Sequence, residues 1–256
     1  MCIILIFLLI SSCNTNSISN ISHFELSRVL NTSNYPSNAY IGISGRMSNH
    51  EREVEYARYH IAHQIAMRDR CIIDEGFITI NENGFDYLIS DSNIEYNDLN
   101  INDIKTNIEI IDVYIFPELT VVIGKDTSKN EGINPNIPRY NEYRPIWIRN
   151  PQWIRNLPDF ENYYIGVGIS ERYSFFYRGI ITADIRAAQV IANEIGTYTR
   201  NYSYNFLYDT GVNTIETTEF GSIALTQAEI EGFYILDRWI EPDWSMCYSL
   251  GIANKK

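Results

Sequence analysis

His60 and His63 come nearest to a metal site by type and spacing. On a helix, positions i and i+3 share a face, and Glu53 or Glu55 would add a carboxylate ligand. The bland alternative is a solvated helix face. The related stretch later in the chain carries Arg186 and Gln189 at the matching positions, so no metal is expected. Two carboxylates, Asp112 and Asp237, also recur in related blocks. Paired carboxylates in glycoside chemistry must stand about 5 to 9.5 Å apart, and two separate modules give no reason for that, so a turn or a pairing with an arginine such as Arg238 is the structural expectation. Gly42 to Gly45 and Gly166 to Gly168, placed between strand and helix, suggest a phosphate loop. Neither G-x-G-x-x-G in a parallel βαβ unit nor Gly-Lys-Ser/Thr is present, however, and the glycines read as tight-turn residues. A G-x-S-x-G nucleophile elbow is also missing. The expectation is a protein that is not an enzyme, with no catalytic residues and no cofactor.

The elements that position these residues are written twice. Tyr40, Ile41, Gly42 and Ile43 match Tyr164, Ile165, Gly166 and Val167 at a shift of 124, whereas Ala57, Ile61, Ala62, Ile65 and Ala66 match Ala183, Ala187, Ala188, Ile191 and Ala192 at a shift of 126. Two extra residues in the second strand-to-helix loop are therefore expected. Ile111, Asp112, Ile115 and Pro117 match Leu236, Asp237, Ile240 and Pro242 at 125. Three blocks recurring in order predict two tandem modules, each with its own core. In the first, Ser48-x-x-Glu51 has the form of a capping box. Val54, Ala57, Ile61, Ala62, Ile65 and Ala66 then make an apolar helical stripe, with Arg, Glu and His on the other side. Strand candidates follow at CIIDEGFITI, FDYLIS, NIEIIDVYIF and LTVVIG, with an acidic, Asn-rich connection over 91–103. In the second module they follow at TRNYSYNFLY, VNTIETTEF, GFYILDRWI and SMCYSLGIA, with a turn at Glu241-Pro242-Asp243. The predicted fold is α+β: two tandem βαββ-like modules, each an antiparallel sheet with one long helix packed on a face.

A length of 256 residues accommodates two modules of roughly 100 to 120 residues. A net charge of −12 argues against a nucleic-acid partner, which needs a basic face to displace phosphate counterions. Cys71 and Cys247 do not fall at equivalent places in the two blocks, so no repeated disulfide framework is expected and both read as buried thiols. Residues 2–10, CIILIFLLI, are too short to span a bilayer but suit the apolar core of a signal peptide, and Ser11 and Ser12 stand directly before Cys13. The expected organisation is a signal peptide over 1–12, a tether over 13–38 carrying lipid on Cys13, module one over 39–124, a proline-rich linker over 125–161 and module two over 162–253. An ordinary secretory signal with a free Cys13 is the alternative.

The linker contains two short echoes, Trp147-Ile-Arg149 and Trp153-Ile-Arg155. Trp147, Arg149, Trp153 and Arg155 form a candidate partner-binding patch that is aromatic and basic. Alternatively, the tryptophans pin the linker onto module two.

Tyr164-Ile-Gly-Val-Gly168, the alanine-spaced helix Ala183, Ala187, Ala188, the entry Pro145-x-Trp147 with Asn150-Pro151, and Gly232-Phe-Tyr-Ile-Leu-Asp237-Arg-Trp239 together resemble the LPP-twenty lipoprotein family, which is related to the N-terminal domain of flagellar assembly protein T. The resemblance covers the second module well and the first through 40–66 and 110–117. It implies an α+β module, a place in the bacterial cell envelope such as the outer membrane, and no catalytic residue. The expected function is that of a lipid-anchored, non-enzymatic envelope lipoprotein that binds or assembles envelope, surface or flagellar components. Its expected partners are the membrane, through the N-terminal lipid, and other envelope proteins. The alternative is a small-ligand carrier using a tyrosine-rich pocket between helix and sheet or between modules.

Overall fold

The computed structural model describes residues 23, 25–82, 85–96, 101–128, 137–140, 150–209 and 214–255. The fold is mixed α/β, with antiparallel sheets and few helices. The first half contains β1 (Ala39–Gly45), α1 (His50–Asp69), β2 (Cys71–Glu82), β3 (Phe85–Tyr96), α2 (Ile101–Thr106), β4 (Ile108–Ile115) and β5 (Leu119–Asp126). The second contains β6 (Tyr163–Glu171), α3 (Phe176–Ile195), β7 (Thr197–Asp209), β8 (Thr214–Ile230), β9 (Tyr234–Ile240) and β10 (Met246–Asn254). Two three-stranded sheets have the orders β1-β5-β4 and β6-β10-β9. A four-stranded sheet, β3-β2-β8-β7, joins a hairpin from each half along the β2–β8 seam, from Cys71 opposite Ile230 to Asn81 opposite Phe220.

The helix α1 starts at Asn49, whose side chain accepts the backbone N–H groups of Glu51 and Arg52; Ser48, expected as the cap, is displaced from that role by one residue. Of its expected stripe, Ala57, Ile61, Ala62, Ile65 and Ala66 are buried and Val54 is half-buried. Glu53, His60 and Gln64 are buried too, so the polar side of the helix is not all solvated. Glu53 accepts hydrogen bonds from Arg46, the Met47 N–H and Thr120, and it pairs with His50. Burial alone would raise its pKa, but these donors together hold it at about 2.

Small residues let each long helix touch its sheet. A Cβ on Gly42 would lie 2.1 Å from the Ala57 carbonyl oxygen, and one on Gly168 would lie 1.9 Å from that of Ala183. These glycines sit inside strands, under helix backbone, and are not turn residues. They also correct the alignment: Gly42 corresponds to Gly168, a shift of 126, the same as for Ala57 and Ala183. The strand-to-helix connections, from Gly45 to His50 and from Glu171 to Phe176, are equal in length, so no two-residue insertion exists. The Ile165-Gly166 and Val167-Gly168 steps, two residues apart, allowed the match to slip by one strand period.

The strand candidates are occupied, with two extensions. β8 runs on past Gly221 to Ile230, and the acidic connection is partly the end of β3 and partly α2. At the bulge in β4, Ile111 is extra between Ile110 and Asp112, and at the bulge in β9, Leu236 is extra between Ile235 and Asp237. In both, the aspartate after the extra residue accepts the next backbone N–H, from Val113 or Arg238. The turn over Glu241-Pro242-Asp243 closes with the Trp244 N–H donating to the Glu241 carbonyl at 2.8 Å.

The halves do not keep separate cores. Ile41, Ile43 and Val121 pack in one cluster with Phe176, Ile180, Ala183, Ile240 and Cys247. Met67, Cys71 and Ile73 pack with Ala188, Ile191, Ala192 and Phe233. The expected tether is not free over its later part: Leu26, Val29 and Leu30 are buried, and Thr32 donates to the Leu236 carbonyl. Cys71 and Cys247 are free and buried, and burial pushes both thiols up to about 12. No described helix is long and apolar enough to cross a membrane.

Candidate functional site

Where α1 and α3 run past each other, they leave a cavity of about 290 Å³ that opens to solvent. Its walls come from both halves. The tyrosines are Tyr56 and Tyr59 on α1 and Tyr177 on α3, and apolar side chains include Met47, Met67, Ile181, Ile185 and Phe233. Tyr56 and Tyr59 are exposed on one rim, and the Tyr177 ring lies against Gly45, which leaves it no room for a side chain. The volume falls at the small end of ordinary ligand pockets, roughly 300 to 1,000 Å³.

One side of the cavity is polar and closed. Asp184 on α3 accepts from the Arg238 guanidinium, from the Ser249 hydroxyl at 2.6 Å, and from His60 Nε2 at 3.4 Å. The tautomer of His60 follows from its other nitrogen: Nδ1 accepts the Ile43 N–H at 3.1 Å, so the proton is on Nε2. Arg238 Nη2 also donates to Gln64 Oε1, and Gln64 Nε2 donates to the Ile41 carbonyl at 2.8 Å. Five elements, β1, α1, α3, β9 and β10, therefore meet on one ion pair. Burial alone would raise the Asp184 pKa, but the Arg238 charge and the His60 hydrogen bond hold it at about 2. Burial also keeps His60 and His63 below the usual histidine range, so His60 is a neutral imidazole.

This arrangement is poorly suited to nucleophilic catalysis. Ser249 donates to a carboxylate instead of to an imidazole, and His60 has both nitrogens engaged, so His60 is not placed to take the Ser249 proton. His60 equally has no free lone pair for a metal. Among the described residues, no group of three or more His, Cys, Asp or Glu side chains is placed to hold a metal ion. What the site offers is an aromatic and aliphatic cleft with one buried hydroxyl, Ser44, that has no hydrogen-bond partner among the described residues.

The residues singled out from the sequence scatter. His60 is buried and belongs to the closed polar side, which corrects the expectation of a solvated face; His63 is half-buried and stacks edge-on against Tyr59 at 4.6 Å. Trp153 is fully buried and donates its indole N–H to Asp237 at 2.6 Å, so it presents no ring to a partner. Its role is to pin the linker onto β9. Arg155 is exposed, whereas Trp147, Arg149 and Cys13 lie outside the described residues. Asp237 serves Trp153 and its bulge, and Asp112 is exposed on β4.

Arg238 was expected to pair with a recurring aspartate but pairs with Asp184 instead, and the residues missed were Asp184, Ser44 and Gln64. Their one signal was asymmetry: at a shift of 126, Asp184 corresponds to Arg58, and His60 to Arg186, so the polar side is built where the halves differ. No family model, curated protein or solved structure matches this chain.

Proposed function

We propose that the protein is a non-enzymatic, lipid-anchored lipoprotein of the bacterial envelope. In this reading, two tandem βαββ-like modules, over 39–124 and 162–253, hold a small apolar ligand between their helices. The cavity between α1 and α3 carries the ligand reading, because its lining is almost wholly apolar and draws on both halves. The duplication is supported by the common strand orders and by the uniform shift of 126 over β1 to α1 and β6 to α3. The envelope location rests on residues 2–13 and on the resemblance to the LPP-twenty family. Native mass spectrometry of protein purified from its own host tests the carrier role. A retained small molecule, lost on Ile185→Trp, supports it; a protein that is always empty counts against it.

An assembly role is the second reading, favoured by the edge strand β4. It leaves Ile111, Val113 and Ile115 exposed beside an edge that no strand among the described residues pairs with, which can accept an extended segment of another envelope protein. Recovery of a crosslinked envelope partner through β4 would support this role, and loss of the crosslink on Val113→Lys would locate it.

A further inference from the structure

The chemistry of the cleft restricts what can enter it. We infer that the ligand is an uncharged amphiphile, an alkyl or aryl body ending in a single hydroxyl or carbonyl group, with that group meeting Ser44. This inference rests on the proposed carrier role. The body is dictated by the walls, where Ile181, Ile185, Met67 and Phe233 offer no polar atom other than backbone. The polar end is placed by Ser44, which is 1% exposed, lines the cavity and, unlike the tyrosines Tyr56 and Tyr59 exposed at the rim, keeps a buried hydroxyl without a partner among the described residues. A buried hydroxyl left unpaired is costly, and a ligand hydroxyl or carbonyl removes that cost.

The exclusion of charge follows from the ion pair beside the cleft. An anionic head would approach the Asp184 carboxylate. The neighbouring guanidinium, Arg238, is fully buried and does not line the cavity: Nε and Nη2 hold Asp184 and Gln64, and Nη1, which has no partner among the described residues, is enclosed by protein. His60 adds no positive charge, because its Nδ1 is occupied as an acceptor by the Ile43 N–H. A cationic head fares no better. The Asp184 oxygens already receive Arg238, Ser249 and His60, so no carboxylate lone pair is left to replace the water an ammonium group would lose. His63, the other imidazole on the wall, is likewise held below the usual histidine range by burial, so neither ion type meets a free opposite charge on the described cavity wall.

Isothermal titration of the full-length protein with 1-octanol, octanoate and octylamine separates these cases. The inference predicts that octanol binds at least about tenfold more tightly than either ion, the equivalent of one unpaired charge kept out of water. Ser44→Ala is expected to shrink that preference to within about threefold, because the hydrogen bond is lost while the apolar contacts stay. Ile185→Trp and Ile181→Phe fill the cleft from different positions, and each is expected to abolish octanol binding while the far-ultraviolet spectrum stays unchanged. Octanoate or octylamine binding as tightly as octanol, still blocked by the filling variants, would overturn the ligand class and leave the cleft reading intact. No binding by any of the three, or octanol binding that survives both filling variants, would overturn the carrier reading and this inference with it.

Discussion

Arg238 reaches Asp184 through three hydrogen bonds: Nε to Oδ1 at 2.9 Å, Nε to Oδ2 at 3.1 Å and Nη2 to Oδ2 at 2.8 Å. The pair lies within the second half of the chain, yet His60 and Gln64 of α1 complete it. This buried charge pair is thus one of the contacts between the halves, beside the β2–β8 seam and the shared apolar clusters. Such a pair is weak evidence of net stability, because desolvation opposes it, but removing one partner strands the other.

Asp184→Ala is therefore expected to lower the unfolding free energy by about 3 to 5 kcal/mol. The double variant Asp184→Ala with Arg238→Met should be more stable than Asp184→Ala alone, since no charge is left unpaired. Urea denaturation of the four proteins of the cycle checks this. Strictly additive losses would contradict the pairing.

Acid should act in two steps. His23, His60 and His63 are each held below 6.5, chiefly by burial. The unfolded chain then binds protons more readily than the folded one, so their contribution is complete above 6.5 and declines as pH falls below it. Asp184, held at about 2 against an ordinary 3.8, keeps its contribution until pH falls below 3.8 and loses it toward 2. Denaturant midpoints measured from about pH 7 to about pH 5 should fall, with a smaller fall in His60→Gln. A flat profile would contradict the burial of these imidazoles.

Gly42→Ala and Gly168→Ala should each destabilise by at least about 1 to 3 kcal/mol, as overpacking does. The added methyl groups would meet helix carbonyl oxygens, and backbone cannot swing aside as a side chain can. Thermal melts read the effect. Normal melting of either variant would show that its helix does not lie so close to its sheet.

Trp153→Phe should cost about 1 to 3 kcal/mol, because the buried Asp237 carboxylate loses a donor. Arg155→Ala, on an exposed neighbour, should leave the denaturation curve unchanged. Equal effects from the two would contradict the placement of Trp153 as a structural pin.

Much of the scaffold was legible because local patterns encode it. Alanines at helical spacing marked the faces of α1 and α3, and alternating or continuous apolar runs marked the strands. The partner of each strand edge was not legible, since backbone hydrogen bonds carry no residue code; nothing in 71–82 announces that it pairs with 220–230. Shared packing of Ile43 with Phe176 and Ile180 is likewise a long-range outcome. For the site, sequence pointed to His60 but placed it in solvent. A histidine next to an apolar stripe looks the same whether its face meets water or, as here, Asp184 of another helix. Trp153 was legible only as one of two roles, a partner-binding ring or a pin, because an aromatic among prolines looks the same in sequence whether it is exposed or buried; its burial against Asp237 selects the pin.

The most direct measurement is a methyl spectrum of isoleucine-labelled protein during titration with 1-octanol. Resonances of Ile181 and Ile185 are expected to shift together and saturate, while those of Ile111 and Ile115 on β4 stay in place. Saturable shifts confined to β4, with Ile181 and Ile185 unmoved, would contradict the cleft between α1 and α3 as the place where this protein binds its ligand.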